Sequence, residues 1–132
     1  MSQPDRNTLV QEAKALGLVI RRLTVWLNAT QCRLSATKLD ELFAERLHQM
    51  AKLTALQAVL LSERGPRAAQ VRVYKTGQLG VAFGDDVEIV TDALDAVDDP
   101  RQARALGLVA QRKLHHLGYP ANLVFPFFAP SC

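Results

Sequence analysis

The chain has 132 residues, of which 48% are hydrophobic, and it carries a formal net charge of +3 at pH 7. This length suits one hydrophobic core and is too short for two ordinary domains, so we expect a single domain over residues 1–132. No segment approaches the roughly 18 uninterrupted apolar residues of a membrane span, and the polar start Met1–Asn7 lacks a signal-peptide core. We therefore expect a cytoplasmic protein with no membrane partner.

Two amphipathic helices are predicted in the first half of the chain, as a helical hairpin over residues 5–64. From Asp5 to about Leu27, apolar residues recur at alternating steps of four and three, which is the pattern of one buried helix face. The residues of this stripe are Leu9, Ala13, Leu16, Ile20, Leu23 and Leu27. A second helical period runs from Thr37 to Glu63, with Ser35 or Thr37 as the expected N-cap. Arg64-Gly65-Pro66 predicts its end, because proline cannot continue a helix.

Residues 67–128 are predicted to form a β-meander, a helix and a short strand. After Pro66 the hydrophobic residues alternate with polar or small ones, which is typical of half-buried strands. The alternating segments are Val71 to Val73, Leu79 to Phe83 and Val87 to Val90. Turn residues at Lys75–Gln78 and Gly84–Asp86 separate them, so we expect a three-stranded antiparallel meander with one apolar face. Helices must cover that face.

The last third of the chain predicts one more helix and a closing strand. Asp92 can cap a single helical turn, and Asp99-Pro100 is a strong start signal for a longer helix. Gly118–Pro120 ends that helix, and Asn122–Phe128 reads as an apolar strand. Because Pro126 removes a backbone donor, this strand is expected at a sheet edge or a bulge. The predicted fold class is α+β.

Two helical segments are nearly identical in sequence. Ala13–Val19 reads AKALGLV, and Ala103–Val109 reads ARALGLV. Their flanking segments do not match, so a duplication is possible without being required. Each copy places a glycine in mid-helix, which costs about 1 kcal/mol against alanine. We therefore expect Gly17 and Gly107 to lie where helices cross closely.

Metal-ligating residue types are concentrated in two segments. Seven carboxylates between Asp85 and Asp99 could supply oxygen ligands, but each also has a local role in a turn, on a strand or at a helix start. Neighbouring His115 and His116 diverge on a helix and complement its negative end, so they are not expected to chelate one ion. His48 stands alone in its helix. We predict no metal and no cofactor, while metal binding by the acidic segment stays open.

No enzymatic signature is found. The order of meander, helix and strand also occurs in restriction-endonuclease-like cores, which need an acid followed two residues later by lysine. The third strand has Glu88-Ile89-Val90 without that lysine, and no Ser-His-acid set, phosphate loop or dinucleotide fingerprint is present. The sequence therefore predicts a protein that is not an enzyme. A deep polar cavity near Glu88 would instead favour an enzyme.

A basic face on the last helix supports one functional alternative. Its residues are Arg101, Arg104, Gln111, Arg112 and His115. Clustered cations of this kind contact phosphates, so we consider a nucleic-acid-binding module. Aromatic residues for base stacking are scarce, however, and an acidic segment lies next to this face in the sequence.

The preferred hypothesis is a small regulatory or interaction protein that acts as a homodimer or as a subunit of a complex. Two long helices offer more apolar surface than a small sheet can cover, and uncovered stripes usually meet a partner. The residues expected on this interaction surface are Leu18, Val25, Trp26, Leu108, Phe127 and Phe128.

Overall fold

Long helices and one sheet build the structure, in the order helix, helix, three strands, helix, strand. The computed structural model describes residues 5–30, 32–62, 68–84 and 87–127. Its elements are α1 (Arg6–Thr30), α2 (Ala36–Leu61), β1 (Ala69–Tyr74), β2 (Leu79–Phe83), β3 (Val87–Val90), α3 (Pro100–His116) and β4 (Ala121–Phe127). The α+β class and the N-terminal helical hairpin are confirmed. The predicted stop at Arg64-Gly65-Pro66 lies outside the described residues.

Side-chain caps set several helix starts where the sequence predicts them. Ser35 is the N-cap of α2, and its hydroxyl accepts a hydrogen bond from the Lys38 amide at 3.2 Å. Asp99 accepts from the Arg101 amide at 2.9 Å at the start of α3. Asp92 caps a short 3-10 turn over Ala93–Asp95. Each cap satisfies an amide that has no partner within its own helix.

The strands form one mixed sheet in the order β3, β2, β1, β4. The predicted antiparallel meander is confirmed, since β1 pairs with β2 and β2 pairs with β3 in antiparallel register. The chain then crosses the sheet through α3, and β4 pairs in parallel with the free edge of β1. Pro126 thus lies on an edge strand, and the pairing shifts register between Arg72 and Tyr74.

The core lies between the sheet and the layer formed by α2 and α3. Alternate residues of β1 and β2 face the helices and are buried, among them Val71, Val81 and Phe83. Phe83 also meets the ring of Tyr119 edge to face, with centroids 5.4 Å apart. Helix α1 packs along α2, and only Leu9 and Leu27 of its side chains are fully buried. The molecule is therefore layered as sheet, helix pair and one outer helix.

The expectation that both mid-helix glycines mark helix crossings is wrong. A Cβ on Gly17 would have no neighbour within 4 Å, so nothing packs closely on that position. A Cβ on Gly107 would lie 2.7 Å from Leu123 Cδ1 and 2.8 Å from Val73 Cγ2. Gly107 therefore allows α3 to approach the sheet, and no second helix is involved.

Candidate functional site

One face of α1 combines exposed apolar side chains with arginines. Its residues are Leu18, Arg21, Arg22, Val25, Trp26 and Ala29, and we call them the α1 outer face. They recur every three or four positions, so they share one side of the helix. They line a shallow groove of about 430 Å³. Val25 is 62% exposed and Leu18 is 47% exposed, which is unusual for large apolar residues so close together.

The charges of the α1 outer face have one sign. Among the described residues, neither Arg21 nor Arg22 makes an ion pair or a side-chain hydrogen bond. No Asp or Glu occurs between Ala13 and Leu39, so the surrounding segment supplies no compensating carboxylate. The face therefore presents apolar surface flanked by uncompensated positive charge.

Polar contacts fix α1 in place although its outer face is bare. Arg46 of α2 donates to the Thr24 hydroxyl at 2.6 Å and also pairs with Asp95 at 2.9 Å. Lys113 of α3 pairs with Glu12 near the other end of α1. Side chains of α2 and α3 thus hold α1 at two points along its length, so the outer face has a defined position.

No protein-family model, curated protein or solved structure matches this chain.

The residues predicted to form one interaction surface occupy separate places. Leu18, Val25 and Trp26 lie together on the α1 outer face. Leu108 is half-buried on α3, and Phe127 is half-buried on β4, where its ring contacts Tyr74. Phe128 lies outside the described residues. Helical spacing groups neighbours along one helix, but it cannot tell which elements end up side by side.

The predicted basic face of α3 is smaller than its residue list suggests. Arg101 and Arg104 are exposed, and their side chains make no ion pair among the described residues. Gln111 is instead engaged with the sheet, because its amide donates to the Ala121 carbonyl at 2.8 Å. Arg112 is also exposed, and it lines a cleft that α3 forms with its neighbouring helices. His115 is exposed, and the half-buried Leu108 lies along the same stripe.

The outer face of the sheet is covered by its own side chains. Arg72 donates to Gln70 at 2.6 Å and to Glu88 at 2.8 Å, and its guanidinium lies 4.7 Å from the centre of the Phe127 ring. The Tyr74 hydroxyl also donates to Glu88. Partial burial raises the pKa of Tyr74, and the hydrogen bond and negative charge of Glu88 raise it further, while Arg72 opposes the shift. These groups satisfy one another, and Glu88 has no free carboxylate oxygen aimed at a ligand.

The acidic segment acts mainly in capping and pairing where it is described. Asp92 and Asp99 cap helical turns, while Asp95 and Glu88 pair with arginines. In the described ranges, no group of three or more His, Cys, Asp or Glu residues could hold a metal ion. Asp85 and Asp86 lie outside those ranges.

A second cleft lies where α1, α2 and α3 meet, and the sequence did not indicate it. Its lining residues are Glu12, Leu16, His48, Lys52, Val109, Arg112, Lys113 and His116, and we call it the three-helix cleft. His48 looked isolated in the sequence, but the fold brings it to the same cavity as His116. One sequence signal for the cleft was available: His48 and Lys52, and likewise Arg112 and His116, are four residues apart and so lie on one side of their helix. This spacing indicates a shared site only once α2 and α3 are known to be neighbours.

None of the helices, over the residues described, is long and apolar enough to cross a membrane. The cytoplasmic location stays a prediction from the sequence.

Proposed function

We propose that this chain is a non-enzymatic interaction protein that docks onto a partner protein through the α1 outer face. The observation that carries the proposal is the combination of exposed apolar side chains and unpaired arginines on a helix that is tied to both α2 and α3. Trp26 is suited to act as the anchor, because tryptophan and arginine side chains contribute much of the binding energy in protein interfaces, and Leu18 and Val25 supply apolar contact around it. A preformed surface also loses little conformational entropy on binding.

The charge of the α1 outer face favours a partner of different sequence over a second copy. In a symmetric dimer centred on this face, Arg21 and Arg22 of both copies would lie close together without carboxylates between them. Like charges at an interface centre oppose association. A partner that carries apolar side chains flanked by Asp or Glu complements the face in both shape and charge. The proposed role is therefore that of a subunit in a complex with an acidic partner surface.

Light scattering on the purified chain gives the first test, and a monomer is the expected result. The chain is then used as bait in its native host, together with Val25→Glu and Arg22→Glu. Leu94→Glu serves as the matched control, because Leu94 is 92% exposed but lies on the 3-10 turn. Capture of a protein that Leu94→Glu retains and both α1 variants lose supports the proposal, once calorimetry with the purified partner confirms direct binding.

Two results would count against this docking mode. Equal recovery of every captured protein by the wild type and by Val25→Glu would show that the α1 outer face is not the binding surface. A stable dimer that Val25→Glu converts to monomer would assign the face to self-association and remove the argument for an acidic partner.

Nucleic-acid binding is the second candidate, and the unpaired, exposed Arg101 and Arg104 favour it. A salt titration separates the two candidates. Phosphate contacts release counterions, so affinity for a duplex or single strand falls steeply with salt, whereas an interface with apolar anchors and two arginines responds less steeply. Retention of duplex binding by the double variant Arg101→Gln, Arg104→Gln would exclude the basic face of α3 as the nucleic-acid-binding surface.

A further inference from the structure

The three-helix cleft concentrates cationic and hydrogen-bond-donating side chains. His48 and Lys52 lie one turn apart on α2, and Arg112 and His116 lie one turn apart on α3. These two pairs line the same cavity from two different helices. From these observations we infer that the cleft binds the phosphate group of a small molecule.

The charges in the cleft leave two cations available. Lys113 is paired with Glu12, which is the cleft's single carboxylate. Lys52 and Arg112 have no ion pair or side-chain hydrogen bond among the described residues. An arginine fork can hold two phosphate oxygens at once, and a lysine ammonium adds a third charged contact. The cavity is thus net positive and has unused donors on two walls.

Compensation of the α3 dipole does not account for this arrangement. Cations in the last turn of a helix favour its negative end, which explains Lys113 and His116. Lys52, however, lies well inside α2 and more than two turns from its end at Leu61. A second cavity of about 410 Å³ shares His48 and Val109 with the cleft but is lined by Glu41 and Glu45. The positive charge is therefore confined to one end of the groove between α2 and α3.

The size and the apolar part of the cleft restrict the ligand. Its volume of about 310 Å³ is at the low end for small-molecule sites. Leu16 and Val109 supply apolar wall beside the cations. A phosphate monoester with a compact apolar body fits both features, whereas a nucleic-acid backbone requires an open basic surface.

Amide chemical shifts of the isotope-labelled full chain test the inference, with inorganic phosphate and phenyl phosphate as probes at constant ionic strength set by sodium chloride. We expect saturable shifts at Lys52, Arg112 and their neighbours, and tighter binding of phenyl phosphate because its ring can cover Leu16 and Val109. Arg112→Gln and Lys52→Gln are each expected to weaken binding about tenfold or more. Arg33→Gln is the matched control, since Arg33 is an exposed arginine that does not line the cleft and belongs to neither candidate binding face.

Three outcomes would overturn the inference. Shifts that rise linearly without saturation would show only diffuse charge attraction. Equal weakening by Arg33→Gln and Arg112→Gln, with all spectra showing folded protein, would place binding outside the cleft. Equal affinity for inorganic phosphate and phenyl phosphate would exclude a ligand that uses the apolar wall. Because the α1 outer face contributes no residue to the cleft, these results are independent of the docking experiment.

Discussion

The two near-identical heptapeptides meet very different surroundings. In α3, Ala103, Gly107 and Ala110 are buried against the sheet, and the glycine lies at the closest approach. In α1, the equivalent Gly17 faces open space, and Leu18 and Val19 are exposed. The sequence AKALGLV in α1 and ARALGLV in α3 has the same helix propensity in both places. What differs is the neighbour, because α3 packs on a sheet and α1 packs mainly along α2.

This contrast distinguishes α3 and the sheet, whose apolar faces pack against each other, from the α1 outer face, whose apolar side chains are exposed. The faces of α3 and the sheet that meet in the core bury their apolar side chains, and on the outer face of the sheet Arg72 pairs with Glu88. The α1 outer face also carries apolar side chains and arginines, but these apolar side chains are exposed and these arginines have no ion pair among the described residues. Such bare apolar surface on a fixed helix is what a binding partner would cover. Substitutions in α3 and the sheet should therefore lower mainly the free energy of unfolding, and substitutions on the α1 outer face should weaken mainly partner binding.

Leucine truncation should give the largest difference between the two regions. Leu114 of α3 is fully buried, so Leu114→Ala should lower the free energy of unfolding by about 2–5 kcal/mol. Leu18→Ala in α1 should change it by less than about 0.5 kcal/mol, because Leu18 is 47% exposed. Urea denaturation followed by circular dichroism measures both values. A loss of more than about 2 kcal/mol for Leu18→Ala would mean that its face is already covered within the chain.

The two glycines should respond to alanine with opposite sign. Gly107→Ala forces its Cβ against Leu123 and Val73, and we expect a net loss of about 1–2 kcal/mol. Gly17→Ala meets no neighbour and gains helix propensity, so it should stabilise by about 0.5–1 kcal/mol. Thermal and urea unfolding of the matched pair check this expectation. Stabilisation by Gly107→Ala would contradict the close approach of α3 to the sheet.

Local signals predicted the elements, and long-range packing accounts for what was missed. The caps at Asp92 and Asp99 depend on residues a few positions apart, so the sequence alone locates them, whereas at α2 it left Thr37 and Ser35 as alternatives and the structure uses Ser35. The pairing of β4 with β1 depends on how the chain crosses the sheet, and no local pattern encodes it. Because local sequence does not encode which elements pack together, it predicts the same surroundings for Gly17 and Gly107. For the same reason it does not place His48 and His116 in one cavity.

Replacing an arginine should also lower the free energy of unfolding more in the sheet than on the α1 outer face, by less than the leucine truncations do. Arg72 contacts Gln70, Glu88 and Phe127, so Arg72→Ala should cost about 1–2 kcal/mol of unfolding free energy. Arg22→Ala should change stability by less than about 0.5 kcal/mol, since Arg22 has no ion pair among the described residues. Urea unfolding measures both variants. Equal effects would remove the distinction between satisfied and unsatisfied charge.

The smallest expected effect is an alkaline loss of stability that arises from Tyr74. Burial and Glu88 raise the pKa of Tyr74 above its ordinary value of 10.0, so the unfolded chain releases this proton at lower pH than the folded one. The contribution is fully present below pH 10.0 and is lost as the pH rises through the folded-state pKa. Tyr74→Phe should flatten this part of the stability profile, which urea unfolding at a series of alkaline pH values measures. An unchanged profile in Tyr74→Phe would show that folding does not raise the pKa of Tyr74, and that the ring is neither buried nor bound to Glu88 in solution as the geometry indicates.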